Sequence, residues 1–473
     1  MSQHSVDADY LIIGSGAVGM AFADVILKES NASIVMVDRH HRPGGHWNDA
    51  YPFVRLHGPS ATYGVNSRKL GSDRKDATGL NKGLYELASG AEIVSYFDQV
   101  MTQQFIASGR VKYFPMSNYL GDKQFESLVS GAQHRVTVRK KIVDTTYMNV
   151  AVPATHPPQY SLAPGVQCVP LNELARIRQP HAGYVVIGSG KTGMDACLWL
   201  LGNGVAAQDI RWIMPRDAWL LDRAKIQPFE DFFEQSFGSF AQQLETVLQA
   251  ASIEDLFARL EAAGALLRID NSVEPTMYRC ATVSLTELDE LRRIKNVIRL
   301  GRVQRIDKDQ IVLAHGTVPS DPDSLYIDCS ACAFKQRTPL LVFAGDTITP
   351  QLVKMCETSF SAAFIAHVEL NYTDDAEKNQ LCTVVPLPER PRDWLTMMAA
   401  NLANQYRWSK HEDLRNWRAL SRLDGFAAIA RNVKETDLEK QDLLRRFGKS
   451  AGPATAKLLQ FLAQADSPSQ MSP

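Results

Sequence analysis

Two stretches of this chain set three glycines behind an apolar run, at a spacing suited to holding phosphate. Tyr10-Leu-Ile-Ile-Gly-Ser-Gly-Ala-Val-Gly-Met20 and Tyr184-Val-Val-Ile-Gly-Ser-Gly-Lys-Thr-Gly-Met194 read almost as copies of one another. In a G-x-G-x-x-G turn the first glycine allows the tight bend, the second lets backbone approach a pyrophosphate, and the third allows close helix–strand packing. The phosphates then rest on N–H groups at the helix N-terminus. The spacing assigns Gly14, Ser15, Gly16 and Gly19 to one dinucleotide, and Gly188, Gly190, Lys191, Thr192 and Gly193 to another. After the first copy, the strand Ser33–Val37 ends at Asp38, where a carboxylate grips ribose hydroxyls, with Arg39 beside it. After the second, Ile210–Met214 runs into Pro215-Arg216-Asp217. Aligning strand ends sets Pro215 in the place of Asp38. A missing acid with Arg216 next to it favours a 2′-phosphate, hence NADPH, although Asp217 leaves room for NAD.

The run Asp38-Arg-His-His-Arg-Pro-Gly-Gly-His-Trp47 resembles the acid-plus-G-G-x-W segment of flavin-containing and Baeyer–Villiger monooxygenases. These belong to the flavoproteins with two dinucleotide-binding domains, in which an FAD fingerprint comes first and an NADPH fingerprint is nested later. The resemblance implies FAD and NADPH as cofactors, Asp38 on the FAD ribose, and Gly44, Gly45, His46 and Trp47 along the flavin. It also implies that Asp346, closing Leu340-Leu-Val-Phe-Ala-Gly-Asp346, meets the ribityl chain, and that a helix over Pro350–Leu370 presents its first N–H groups to the flavin. Leu325–Ala331 takes the place of the strand returning to the FAD domain, without the usual A-T-G. The F-x-G-x-x-x-H-x-x-x-F/W fingerprint of these monooxygenases is absent, which marks a separate branch.

The activity implied is insertion of one oxygen atom from O2 into a small organic substrate through a C4a-(hydro)peroxyflavin. Related enzymes carry active-site residues just after the flavin turn, which here makes His57, Tyr63, Asn66 and Arg55, with Ser60, the candidates. A histidine there could steer a proton near neutral pH. Two other readings stay open. Cys329-Ser-Ala-Cys332 is a C-x-x-C that could serve an NAD(P)H-dependent reductase, and the chain could be a non-catalytic FAD- and NADP-binding sensor. No metal site is expected, because no H-E-x-x-H or paired C-x-x-C zinc spacing occurs.

These residues need an α/β framework to hold them. The expected architecture is two Rossmann-like domains, the second inserted in the first. The FAD domain spans 1–150 and 325–395, a linker 151–175, and the NAD(P)H domain 176–324 with a helical insertion at about 229–267. A helical extension follows over 396–473, ending in a disordered tail. The insertion is a candidate cap or homodimer contact. Lys+Arg total 51 against 52 Asp+Glu, a balance that gives no support to a nucleic-acid partner. No apolar run reaches the length of a membrane span. The polar start is unlike a targeting peptide, and the odd count of seven cysteines argues for a reducing, cytoplasmic setting over a disulfide scaffold.

Overall fold

A computed structural model describes residues 4–331 and 337–465, apart from 149 and 151. The first domain begins with β1 (His4–Ile13), α1 (Ala17–Glu29) and β2 (Ile34–Val37), followed by β3 (Val111–Phe114) and β4 (Gln133–Asp144). β1 lies between β2 and β4, parallel to both, and β3 extends the sheet beyond β2. All four residues of β2 are buried. A strand covered on both faces has no polar side to show: Ile34 and Met36 pack with helices, and Val35 and Val37 with Phe125 and Val136.

The second domain repeats this plan. Five parallel strands run in the order β10 (Val297–Ile298), β7 (Ile210–Ile213), β6 (Gly183–Ile187), β11 (Ser324–Asp328), β5 (Cys168–Pro170). α2 (Lys191–Gly202) follows β6 as α1 follows β1. A smaller sheet pairs β8 (Ala218–Asp222) with β9 (Met277–Val283), and α3 (Phe233–Gln249) and α4 (Ile253–Ala262) lie between these strands in sequence.

The twinning reaches individual hydrogen bonds. Gly14 N donates to Val37 O at 2.8 Å, and Gly188 N donates to Ile213 O at 3.0 Å. Thr145 N donates to Ile13 O at 3.1 Å, and Cys329 N to Ile187 O at 2.8 Å. Two sequence expectations change as a result. Leu325–Asp328 is the second domain's counterpart of β4, paired with β6 and β5, and does not return to the first domain. Within the Pro-rich segment expected as a linker, Ser161–Leu162 and Cys168–Pro170 pair with strands of the second domain.

The chain re-enters the first domain through β12 (Phe343–Ala344) and β13 (Thr347–Ile348), a hairpin whose second strand pairs with β4. α5 spans Thr358–Asn371, so the helix expected from Pro350 starts later. Ten consecutive residues of α5, Ser359–Val368, are buried, as are nine of α1, Gly19–Leu27. Helices apolar all round are core helices, and these two share one core with Tyr10, Ile12, Ile34 and Met36. The extension then adds α6 (Pro391–Trp408), α7 (Glu412–Leu420), α8 (Gly425–Arg431) and α9 (Leu438–Ala465). α6, α9, α3 and α4 build a separate core around Trp219, Leu256 and Trp394. No helix among the described residues is long and apolar enough to cross a membrane. The expected tail from Asp466 lies outside the described residues.

Candidate functional site

The two glycine turns are built so that side chains are excluded from them. Gly14 has φ +100° and Gly188 φ +130°, both in the left-handed region that favours glycine. A Cβ on Gly19 would lie 2.1 Å from Gly14 O, and one on Gly193 would lie 2.2 Å from Gly188 O. A Cβ on Gly45 would stand 3.0 Å from Gly16 Cα, so the Gly44-Gly45 turn lies directly against the first glycine turn. Gly44 N donates to Ser15 O at 2.9 Å and fixes that approach.

A cleft of about 1870 Å³ opens from the first turn. That exceeds the several hundred Å³ usual for a drug-sized ligand and suits a dinucleotide with a second reactant. Gly14, Gly16, Asp38, Arg39, Gly45, His46 and Trp47 line one stretch of it. Lys191 and Thr192, at the start of α2, line another, together with His57, Arg55 and Tyr63. Thr358 and Ser359, the first residues of α5, also face it.

Asp38 is buried and holds the turn together. Its Oδ2 accepts from Ser15 N at 2.5 Å and Ser15 Oγ at 2.8 Å, while Oδ1 accepts from His40 N at 2.7 Å. Burial works to raise the Asp38 carboxyl, but the His40 and Ser15 hydrogen bonds outweigh it and hold it below the usual carboxylate range. His40 bridges Asp38 and Asp49 at 3.0 and 2.9 Å, and chiefly its bond to Asp38 pushes its imidazole up to about 9. Trp47 Nε1 donates to Tyr63 Oη at 2.7 Å, so Trp47 and the candidate Tyr63 form one wall.

His57 lies on the cleft wall with protein around it. Its side chain is exposed to the open cleft, and enclosure by the cleft walls first, then the positive charges of Lys191 and Arg223, push its imidazole down. That removes the near-neutral titration expected of it. The buried Arg223 donates to His57 O at 3.0 Å, Asn81 Oδ1 at 3.0 Å and Glu287 Oε2 at 2.6 Å, pinning the loop after the flavin turn to the second domain. Tyr51 Oη donates to Asp195 Oδ2 at 2.5 Å, and Lys191 pairs with the same carboxylate from one helical turn away.

Four candidates sit elsewhere. Asp346 is 60% exposed at the tip of the β12–β13 hairpin, where it pairs with Lys123 at 3.1 Å. It does not line the cleft, because β13 starts below the sheet edge that carries the glycine turn. Arg216 pairs with Glu389 at 2.9 Å and is also off the cleft wall. With Val37 matched to Ile213, the residue in the place of Asp38 is Met214, one earlier than strand-end alignment suggests. Asn66 accepts from Ser421 Oγ at 2.9 Å in the C-terminal extension. Ser60 is buried, donating to Glu86 O and accepting from Ala88 N. Of the C-x-x-C pair, Cys332 lies outside the described residues, and Cys329 is buried in the second core with its thiol pushed well up by burial.

Sequence reasoning missed Thr145, whose hydroxyl donates to Ile13 O at 2.6 Å and sits 2.5 Å from where a Gly14 Cβ would be. It also missed Tyr51, Asp195 and the half-buried Cys280 and Cys356, all on the cleft wall. Only Asp195 had a signal, four residues after Lys191 on one helix face.

Residues 12–74 match the model of an NAD(P)-binding Rossmann-like domain. The chain is 50% identical over 458 residues to the uncharacterized protein Rv2000 of Mycobacterium tuberculosis, covering 97% of this chain and 85% of that one. It belongs to that family. The uncharacterized protein Mb2023 of Mycobacterium bovis matches to the same extent. Among solved structures, a flavin monooxygenase from Stenotrophomonas maltophilia is 13% identical, with a TM-score of 0.46 over 78% of this chain and 99% of that one. Cyclohexanone monooxygenase from Rhodococcus sp. Phi1 bound to NADP+ is 12% identical, with a TM-score of 0.46 over 78% and 86%. A bacillithiol disulfide reductase from Bacillus cereus is 11% identical, with a TM-score of 0.41 over 77% and 98%. The family member described here carries two Rossmann-like domains, the second inserted in the first, with the walls of one cleft drawn from both.

Proposed function

We propose that this family member is an FAD- and NADPH-dependent oxidoreductase, and that its reaction is the insertion of one oxygen atom from O2 into a small organic substrate. The observation that carries the reading is the pair of glycine turns, alike to the hydrogen bond, whose following helices reach one cleft from opposite domains. The residues fit the cofactors. Gly14, Gly16, Gly19 and Gly45 form a cradle that a Cβ would fill, and the uncapped start of α5 offers N–H groups to an electron-rich ring. Bound there, a flavin supplies two-electron transfer from NADPH and activation of O2.

The chain's own residues bind, orient and shield. Asp38 meets ribose hydroxyls by exchanging its Ser15 Oγ and His40 contacts. Trp47 and Tyr63 wall the ring site. Lys191, paired with the Asp195 carboxylate that also accepts from Tyr51 Oη, offers a positive charge beside the second glycine turn. His57 accepts a hydrogen bond at a ring nitrogen. The extension closes the cleft against water, and Arg418, Leu423, Phe426 and Phe447 all face it. Exclusion of water protects reactive intermediates.

The test is anaerobic mixing of the FAD-loaded protein with NADPH, followed by labelled O2. Bleaching of the flavin and one labelled oxygen atom in a product support the proposal. Bleaching followed by hydrogen peroxide alone, across a panel of ketones, amines and sulfides, leaves an oxidase or reductase. No bleaching removes the redox reading and favours a sensor.

A further inference from the structure

Cys280 and Cys356 are joined by a disulfide with Cα atoms 6.8 Å apart, and both line the cleft. Cys280 belongs to the second domain and Cys356 to the first, in the segment leading into α5. We propose that this bond is a redox-active dithiol/disulfide couple that takes electrons from the cofactors of the cleft and passes them to a low-molecular-mass disulfide. The proposal rests on the FAD reading above.

Three independent observations support it. The first is backbone conformation. Cys280 has φ +54° and Cys356 φ +50°, left-handed values that a residue with a Cβ rarely adopts. Such outliers cost about 1–3 kcal/mol each and cluster at active sites. Cys280 falls where the β8–β9 register shifts, between the Trp219–Tyr278 and Leu221–Thr282 pairs. A bulge of this kind re-aims a side chain, and Cys280 is one of the residues that line the cleft.

The second is electrostatic placement. Cys356 lies two residues before Thr358, the first residue of α5. No side chain caps that helix start, and a thiolate beside it is stabilised by the helix N-terminus. The third is the contrast with the other cysteines. Cys197, Cys329 and Cys382 are buried, with thiols pushed well up by burial. Among the described cysteines, only the bonded pair lines the cleft.

The electron count closes. The S–S bond accepts two electrons delivered from NADPH by way of the flavin and breaks. The hydrogen of the hydride and one solvent proton end on the two sulfurs, and NADP+ is released. Cys356 thiolate then attacks one sulfur of an external disulfide, expelling one thiolate. Cys280 attacks the resulting mixed disulfide, expelling the second thiolate and restoring the bond. The net change is oxidation of one NADPH and reduction of one external disulfide to two thiols.

The test uses the full FAD-loaded chain without oxygen. NADPH is titrated in while flavin absorbance is followed, and aliquots are alkylated for mass spectrometry of the Cys280 and Cys356 peptides. The expected result is a second equivalent of NADPH consumed beyond flavin reduction, with both peptides alkylated only after NADPH. In the C280S/C356S variant that second equivalent disappears, and if this variant does not fold, the alkylation pattern of the native chain decides alone. Adding bis(2-hydroxyethyl) disulfide should sustain anaerobic NADPH oxidation. Flavin bleaching with both cysteines still blocked overturns this proposal and leaves the FAD reading standing. Alkylation of the pair without turnover of the added disulfide overturns the external step. Absence of bleaching overturns the FAD reading and this proposal with it.

Discussion

Tyr51 Oη donates to Asp195 Oδ2 across 2.5 Å, and so ties the loop after the Gly44-Gly45 turn to the second turn of α2 in the other domain. The same carboxylate holds Lys191, so one bond both couples the domains and orients the cation beside the second glycine turn. Hydrogen bonds to charged partners contribute about 1.5–3 kcal/mol. Tyr51→Phe should therefore lower the thermal midpoint by several degrees. It should also raise the NADPH concentration needed for half-maximal flavin reduction by about tenfold, read by stopped-flow absorbance. Unchanged NADPH dependence would show that the tie is structural only.

If the proposed FAD and NADPH sites are right, the twin glycine turns allow the two nucleotides to be removed separately. Gly19→Ala sets a methyl 2.1 Å from a backbone carbonyl, and Gly193→Ala does the same at 2.2 Å. Neither oxygen can move without opening its turn. The first variant should purify without flavin. The second should keep its yellow colour and lose reduction by NADPH, while dithionite still bleaches it. Loss of flavin from both variants would contradict the assignment of separate sites.

Stability should peak near pH 6.5, because the histidines titrate on opposite sides. His40, raised to about 9, stabilises the fold fully below its unfolded value of 6.5, and this contribution is lost as pH climbs through 9. With 32% of its side chain exposed, the effect is screened to about 1–2 kcal/mol. His46, lowered to about 4 by burial, works the other way: stability falls between pH 6.5 and 4 as the unfolded chain takes up a proton that the fold refuses. Urea midpoints from pH 4 to 10 should trace this dome. H40N should flatten its alkaline side.

Arg422 clamps the loop that carries Tyr63. It donates to Val65 O at 2.6 Å, Ala61 O at 2.7 Å and Tyr63 O at 2.8 Å. Arg422→Ala leaves three carbonyls without this partner and should cost about 2–4 kcal/mol. Because the clamp seals the extension onto the cleft, the variant should also release more hydrogen peroxide per NADPH oxidised, measured with a peroxidase-coupled dye. A stability loss with unchanged peroxide yield would confine the extension to a structural role.

The parts of this molecule legible in its sequence are those governed by local rules. The glycine turns, Asp38 at the end of β2 and the Gly44-Gly45 turn obey backbone constraints that act within a few residues. Asp346 misled because Gly-Asp after an apolar run also makes an exposed hairpin tip, and only pairing with β4 shows which face it takes. The strand at Leu325 misled because a buried parallel strand looks the same in either sheet. Arg216 was misplaced by one residue because a strand's end is set by hydrogen bonds and not by its apolar run. Cys280 and Cys356 are 76 residues apart and carry no spacing signal at all. Their meeting is a product of two domains closing on one cleft.

The nesting of the domains also sets an order of assembly. α1 shares its core with α5, more than 300 residues later, whereas β6, α2 and β7 follow one another directly. A ribosome adding about 5–20 residues per second leaves roughly 10–40 s between the end of β4 and the appearance of α5. During that interval the inserted domain can close while α1 still lacks its partner helix. The apolar face awaiting α5 is then the segment of the nascent chain most in need of a chaperone.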